Sequence, residues 1–118
     1  MLSLPELVQI HFCMQPMDMR KGFDSLAAMV RDHLGYDPLS GHLFVFRSRR
    51  GDRVKMLWWE RDGFTLYYRR LEEGTFRFPA ASDPQARSVE VSAQELSLLL
   101  WGIDPSSVKR QKRYQRAG

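Results

Sequence analysis

The sequence predicts one α+β domain: an antiparallel β-meander sheet of about four or five strands with two helices packed on it. Three observations predict it. Residues 42–78 form a run of short strand-like segments broken by turn residues. Before that run, Met19, Phe23, Leu26, Ala27, Val30 and Leu34 recur at helical spacing. After it, Leu96, Leu99, Leu100 and Ile103 make a second, shorter stripe. The domain is expected over residues 1–105. Residues 106–118 are too polar and basic to bury themselves and are expected to be a disordered tail.

In chain order, Val8, Ile10 and Phe12 alternate with Gln9, His11 and Cys13, which predicts a first strand joining the later sheet. Asp18 is placed to N-cap a helix over residues 19–34, with Gly35 ending it. Gly22 then falls inside the first turns, at a cost of about 1 kcal/mol against alanine, and could admit another backbone closely. Lys21 and Asp24 form an i,i+3 pair on the polar side. Arg20 and Lys21 beside a helix N-terminus oppose its dipole, which favours a contact role for them, with a protein or a phosphate.

Leu43 to Arg47 is the first meander strand, and Gly51 supplies a positive φ in the loop after it. Residues 53–60 and 64–71 are the next two strands, joined at Asp62-Gly63, a strong hairpin signal. Residues 75–78 return as a further strand until Pro79. In the second meander strand Val54, Met56 and Trp58 share one apolar face. Arg53, Lys55, Leu57 and Trp59 share the other, so the sheet is expected to be packed on one side and wet on the other. Residues 80–88 form a loop and residues 88–91 a brief extended segment. Ser92 and Glu95 then make a capping box, with Val91 and Leu96 as its hydrophobic staple.

The composition is that of a globular chain, with 43% hydrophobic and 27% charged residues and no apolar run long enough for a membrane span. Cys13 is the single cysteine, which permits no internal disulfide and suits a reducing cytoplasm. It is expected as a small buried apolar residue. The net charge of +4 is uneven. Residues 109–118 hold Lys109, Arg110, Lys112, Arg113 and Arg116 with no acid. Residues 47–70 carry eight basic and three acidic residues, so two positive segments sit on an acidic remainder.

Those cations frame the candidate site. Arg49, Arg50 and Arg53, with Arg47, Lys55 and Arg69, are placed to meet phosphates. Trp59 or Tyr67 adds stacking, although aromatics in such a sheet also serve plain core and cross-strand packing. No metal, phosphate-loop or nucleophile pattern is present: His11, His33 and His42 are scattered, and Asp18, Asp24, Glu60 and Asp62 each have a local task. No catalytic residue, metal or cofactor is expected.

Several phrases in order carry a resemblance. They are Asp18-Met19-Arg20-Lys21-Gly22-Phe23-Asp24, Gly41-His42-Leu43-Phe44-Val45-Phe46 and Lys55-Met56-Leu57-Trp58-Trp59. Asp62-Gly63, Arg70-Leu71-Glu72, Phe78-Pro79 and Leu100-Trp101-Gly102-Ile103-Asp104 follow. The set resembles the TnpB accessory proteins of insertion sequence 66 type bacterial transposons, which are unrelated to the RNA-guided nuclease of the same name. The match runs from about Val8 to Asp104 and leaves the basic tail outside. The resemblance implies a non-catalytic helper of DNA transposition without a cofactor. Its implied partners are element DNA, the transposase and a companion transposon protein. It carries over no binding residues. Two other functions stay open: a pure protein-interaction module, and a metal-dependent nuclease using Asp18, Asp24 or Glu60.

Overall fold

The computed structural model describes residues 8–101. The expected tail, Lys109, Arg110, Lys112 and Arg113 within it, and the expected helix end at Gly102 and Ile103 lie outside the described residues. Five strands form one sheet: β1 (Ile10–Cys13), β2 (Leu43–Arg47), β3 (Arg53–Glu60), β4 (Gly63–Arg70) and β5 (Ser88–Val91), ordered β4-β3-β2-β1-β5. Two helices complete it, α1 (Phe23–Met29) and α2 (Ala93–Trp101), and α1 runs on as a π-helical turn over Val30–Leu34.

The sheet is mostly antiparallel, with one departure from the expectation. β1 pairs with β2 in parallel, Ile10 beside Leu43 and Phe12 beside Val45. Parallel neighbours need a crossover connection, and α1 lies in the chain between them. β3 pairs antiparallel with both β2 and β4, and β5 closes the other edge antiparallel to β1. Residues 75–78 are not a strand; the segment is irregular, and Phe76 fills the core at 3% exposure.

That crossover overturns the expected wet face. Side chains alternate across the sheet, and both sides are covered. Val54 and Met56 join Ile10, Phe12, Leu96 and Leu99 beneath α2. Phe44, Phe46 and Leu57 join Leu26, Ala27 and Val30 beneath α1. Lys55, expected in solvent, is 6% exposed.

Local signals at the helix ends divide. Ser92 Oγ accepts from the Glu95 N–H at 3.0 Å, and the Glu95 carboxylate accepts from the Ser92 N–H at 3.0 Å, so the capping box forms as expected. Gly35 ends the first helical segment at φ 76°. Asp18, however, caps no helix. Its carboxylate takes the Arg20 N–H in a turn, and Gly22 becomes the residue before α1. Gly22 therefore bears no mid-helix penalty, and nothing lies within 4 Å of where its Cβ would be. In the β3–β4 hairpin the positive φ of 56° falls on Arg61, and Gly63 starts β4. No helix among the described residues is long and apolar enough to cross a membrane.

Candidate nucleic-acid interface

Because β1 and β2 run parallel while β3 and β4 run alternately, one end of the sheet collects four chain segments. They are the exit from β1 (residues 14–22), the β2–β3 loop (residues 48–52), the start of β3 and the end of β4. Arg20, Lys21, Arg49, Arg50, Arg53 and Arg70 all belong to this end.

The loop that carries Arg49 and Arg50 is held from several sides. The Ser48 N–H donates to the Arg53 carbonyl at 3.0 Å, and the Arg53 N–H donates to Ser48 Oγ at 3.1 Å. The Phe76 N–H donates to the Gly51 carbonyl at 2.8 Å, and the Leu71 N–H to the Asp52 carbonyl at 2.8 Å. Gly51 turns the chain at φ 81°. Arg49 and Arg50 are exposed and make no hydrogen bond or ion pair among the described residues. An open depression of about 280 Å³, lined by Pro16, Met17, Asp18 and Arg49, lies beside them.

Around that depression the charges are partly spent. Arg20 binds the Asp18 carboxylate at 2.7 Å, and its hydrogen bonds hold the Asp18 carboxyl down at about 2. Arg70 pairs with Glu72 at 2.9 Å. Arg53 stands directly opposite Arg70 across the strands, and its guanidinium donates to the Tyr68 hydroxyl at 3.2 Å. Below Tyr68 the Lys55 ammonium lies 4.6 Å from the ring centre and donates to the Lys21 carbonyl at 2.6 Å.

The structure thus brings together Arg20, Lys21, Arg49, Arg50, Arg53 and Lys55, although Lys55 is buried and works from underneath. It separates the rest. Arg69 and Tyr67 face α2: Arg69 donates to the Leu100 carbonyl at 3.2 Å and stacks on Trp101, while Tyr67 packs on the core. Arg47 donates to the Met14 carbonyl at 2.8 Å and lies over Phe78. Trp59 sits toward the far end of β3, edge-on to Phe64. Sequence reasoning passed over Tyr68 and Arg70. The two-residue turn at Arg61-Asp62 was the available signal: pairing Glu60 with Gly63 puts Lys55 beside Tyr68 and Arg53 beside Arg70.

Among the described residues no acidic centre forms. Asp18 is committed to Arg20, and Glu60 lies at the opposite end of β3, roughly 23 Å from Arg53. No cluster of three metal-ligating side chains occurs among the described residues. What the arrangement can do is hold anions against a rigid cationic rim.

A family model described as "IS66 Orf2 like protein" matches residues 8–110, reaching six residues beyond the expected limit and into the first two tail cations. Two uncharacterized proteins of Sinorhizobium fredii, y4jC and y4hO, are 38% and 39% identical to the chain over 104 residues. Each alignment covers 88% of this chain, with 86% of y4jC and 88% of y4hO. No solved structure matches.

Proposed function

We propose a function from one premise: the chain belongs to the IS66 Orf2-like family. It is a transposition-associated accessory protein. It acts by binding, not by catalysis, and its direct partner is element DNA, met in the cytoplasm. The observation that carries this is the cationic end of the sheet. Arg49 and Arg50 stand exposed on a loop braced by four backbone-directed hydrogen bonds, beside Arg53, Arg20 and Lys21. Guanidinium groups held this way suit phosphate oxygens, and the tail cations in the sequence add long-range attraction.

Fluorescence anisotropy against labelled DNA across a salt series tests it. Each phosphate neutralised on duplex DNA contributes about −0.9 to the log–log salt slope, so Arg49→Ala with Arg50→Ala reduces the slope by about 1.8. An unchanged slope in that double variant, or binding that salt does not weaken, refutes the proposal.

A second function, docking of the transposase or the companion transposon protein, is favoured by a different observation. Tyr36 and Leu39, 38% and 52% exposed, lie in the segment that enters β2 at the opposite end of the sheet. Pull-down with the transposase, retained in the Arg49/Arg50 double variant and lost with Leu39→Asp, supports that function over DNA binding.

A further inference from the structure

The sheet end holds one feature that phosphate docking alone does not use: a pinned aromatic ring with an open face. Tyr68 is 48% exposed, whereas Lys55, whose ammonium lies 4.6 Å from the ring centre, is 6% exposed, so the buried cation occupies one side and leaves the rest of the ring for a ligand. Arg53 fixes the hydroxyl end. The ring therefore has little freedom left to lose when something stacks on it. A cation under one π-face also draws electron density from the other, which favours stacking by an electron-rich base.

The cations around the ring are unusual for a free sheet. Arg53 and Arg70 are directly opposed, and like charges at that position destabilise a sheet unless an anion lies between them. Glu72 pairs with Arg70, and Asp52 also lies close enough to act on it, while Arg53 makes no ion pair among the described residues. An anion between the two guanidinium groups, two residues along the strands from the Lys55–Tyr68 pair and on the same face, is a phosphate next to a stacked base. Duplex DNA cannot use this ring, because paired bases keep their faces buried against each other. An unpaired nucleotide can. Phe23, two residues beyond Lys21 and 48% exposed, is a further ring at the same helix start.

We propose that Tyr68, Arg53 and Arg70 form a nucleotide subsite that takes an unpaired base with its phosphate, so that the chain prefers single-stranded DNA to duplex. The inference rests on the nucleic-acid function above and narrows its substrate class.

The test is anisotropy titration of the full chain with a fluorescein-labelled 20-nucleotide DNA strand, the same strand as duplex, and the same sequence as RNA. The wild type binds the single strand more tightly than the duplex. Tyr68→Ala weakens single-strand binding by about tenfold and leaves duplex binding within about twofold. Tyr68→Phe, which keeps the ring, retains most of the preference. Quenching of 2-aminopurine placed within the strand is lost in Tyr68→Ala, and circular dichroism confirms that the variants fold. Equal binding of strand and duplex by the wild type overturns the inference and leaves the DNA-binding function standing. So does a Tyr68→Ala loss of equal size on both. Tighter binding of the RNA strand overturns the DNA assignment. Failure to bind any of the three removes the function and the inference together.

Discussion

The ammonium of Lys55 donates to the carbonyl oxygen of Lys21 across 2.6 Å, tying the middle of the sheet to the chain two residues before α1 begins. A lysine this buried is costly unless it is partnered. Its partners are that carbonyl and the Tyr68 ring, so one side chain fixes both the helix start and the candidate stacking surface. Lys55→Met keeps most of the volume and removes the donor. It is expected to destabilise the fold by about 1 kcal/mol, read as a lower denaturation midpoint at unchanged m value. A midpoint at or above that of the wild type would show that the contact contributes no net stability.

His11 makes stability depend on pH. The ring is 2% exposed, in a three-ring cluster with Tyr36 at 4.0 Å and Phe44 at 5.5 Å, and Nδ1 has no partner among the described residues. Burial lowers its pKa from 6.5, Glu90 opposes that shift, and His42 adds to it. The unfolded chain thus binds the proton more readily than the folded one. Stability from this group is complete above about 6.5 and falls as pH drops from there toward the lower folded value. His11→Phe keeps the ring stack and is expected to flatten thermal-melt midpoints between about pH 7 and 5. An unaltered pH slope in His11→Phe would assign that slope to other groups.

Asp18 is expected to restrain polyanion binding. Its pair with Arg20 is exposed and screened by solvent, so Asp18→Asn should leave the denaturation midpoint unchanged. The same change removes a negative charge beside Arg49 and frees the Arg20 guanidinium. The expected result is tighter DNA binding with a salt slope steeper by about 0.9, measured by the same anisotropy series. Weaker binding in Asp18→Asn would mean that the carboxylate positions Arg20 for the ligand.

Local chemistry was legible in the sequence, and long-range placement was not. The capping box at Ser92 and Glu95, the Gly35 terminus and the Gly51 turn depend on residues within one or two turns, and all three form. The burial of Lys55 depends on α1 crossing over between β1 and β2. No periodicity within the β3 segment reports which helix will cover it. Asp18 was misplaced because a carboxylate before a helix can serve either its own turn or the helix, and Arg20 decided for the turn. For the site, alternation already put Arg53, Lys55 and Trp59 on one face. The hairpin register was needed to exclude Tyr67 and Arg69 and to bring in Tyr68 and Arg70.

Two glycines with nearly the same backbone separate stability from function. Gly35 and Gly51 have φ of 76° and 81°, a region where a Cβ costs about 1–2 kcal/mol. Around Gly35 nothing lies within 4 Å of an added Cβ. At Gly51 the added carbon would meet Phe78 at 3.4 Å and Thr75 at 3.6 Å, and the neighbouring residues carry the exposed guanidinium groups. Both Gly35→Ala and Gly51→Ala are therefore expected to lose about 1–2 kcal/mol in chemical denaturation. Only Gly51→Ala is expected to weaken DNA binding, because relieving its φ requires the loop to shift Arg49 and Arg50 off their positions. Equal DNA affinity in the two variants would show that loop rigidity does not matter for the ligand, and that charge alone at this end of the sheet attracts it.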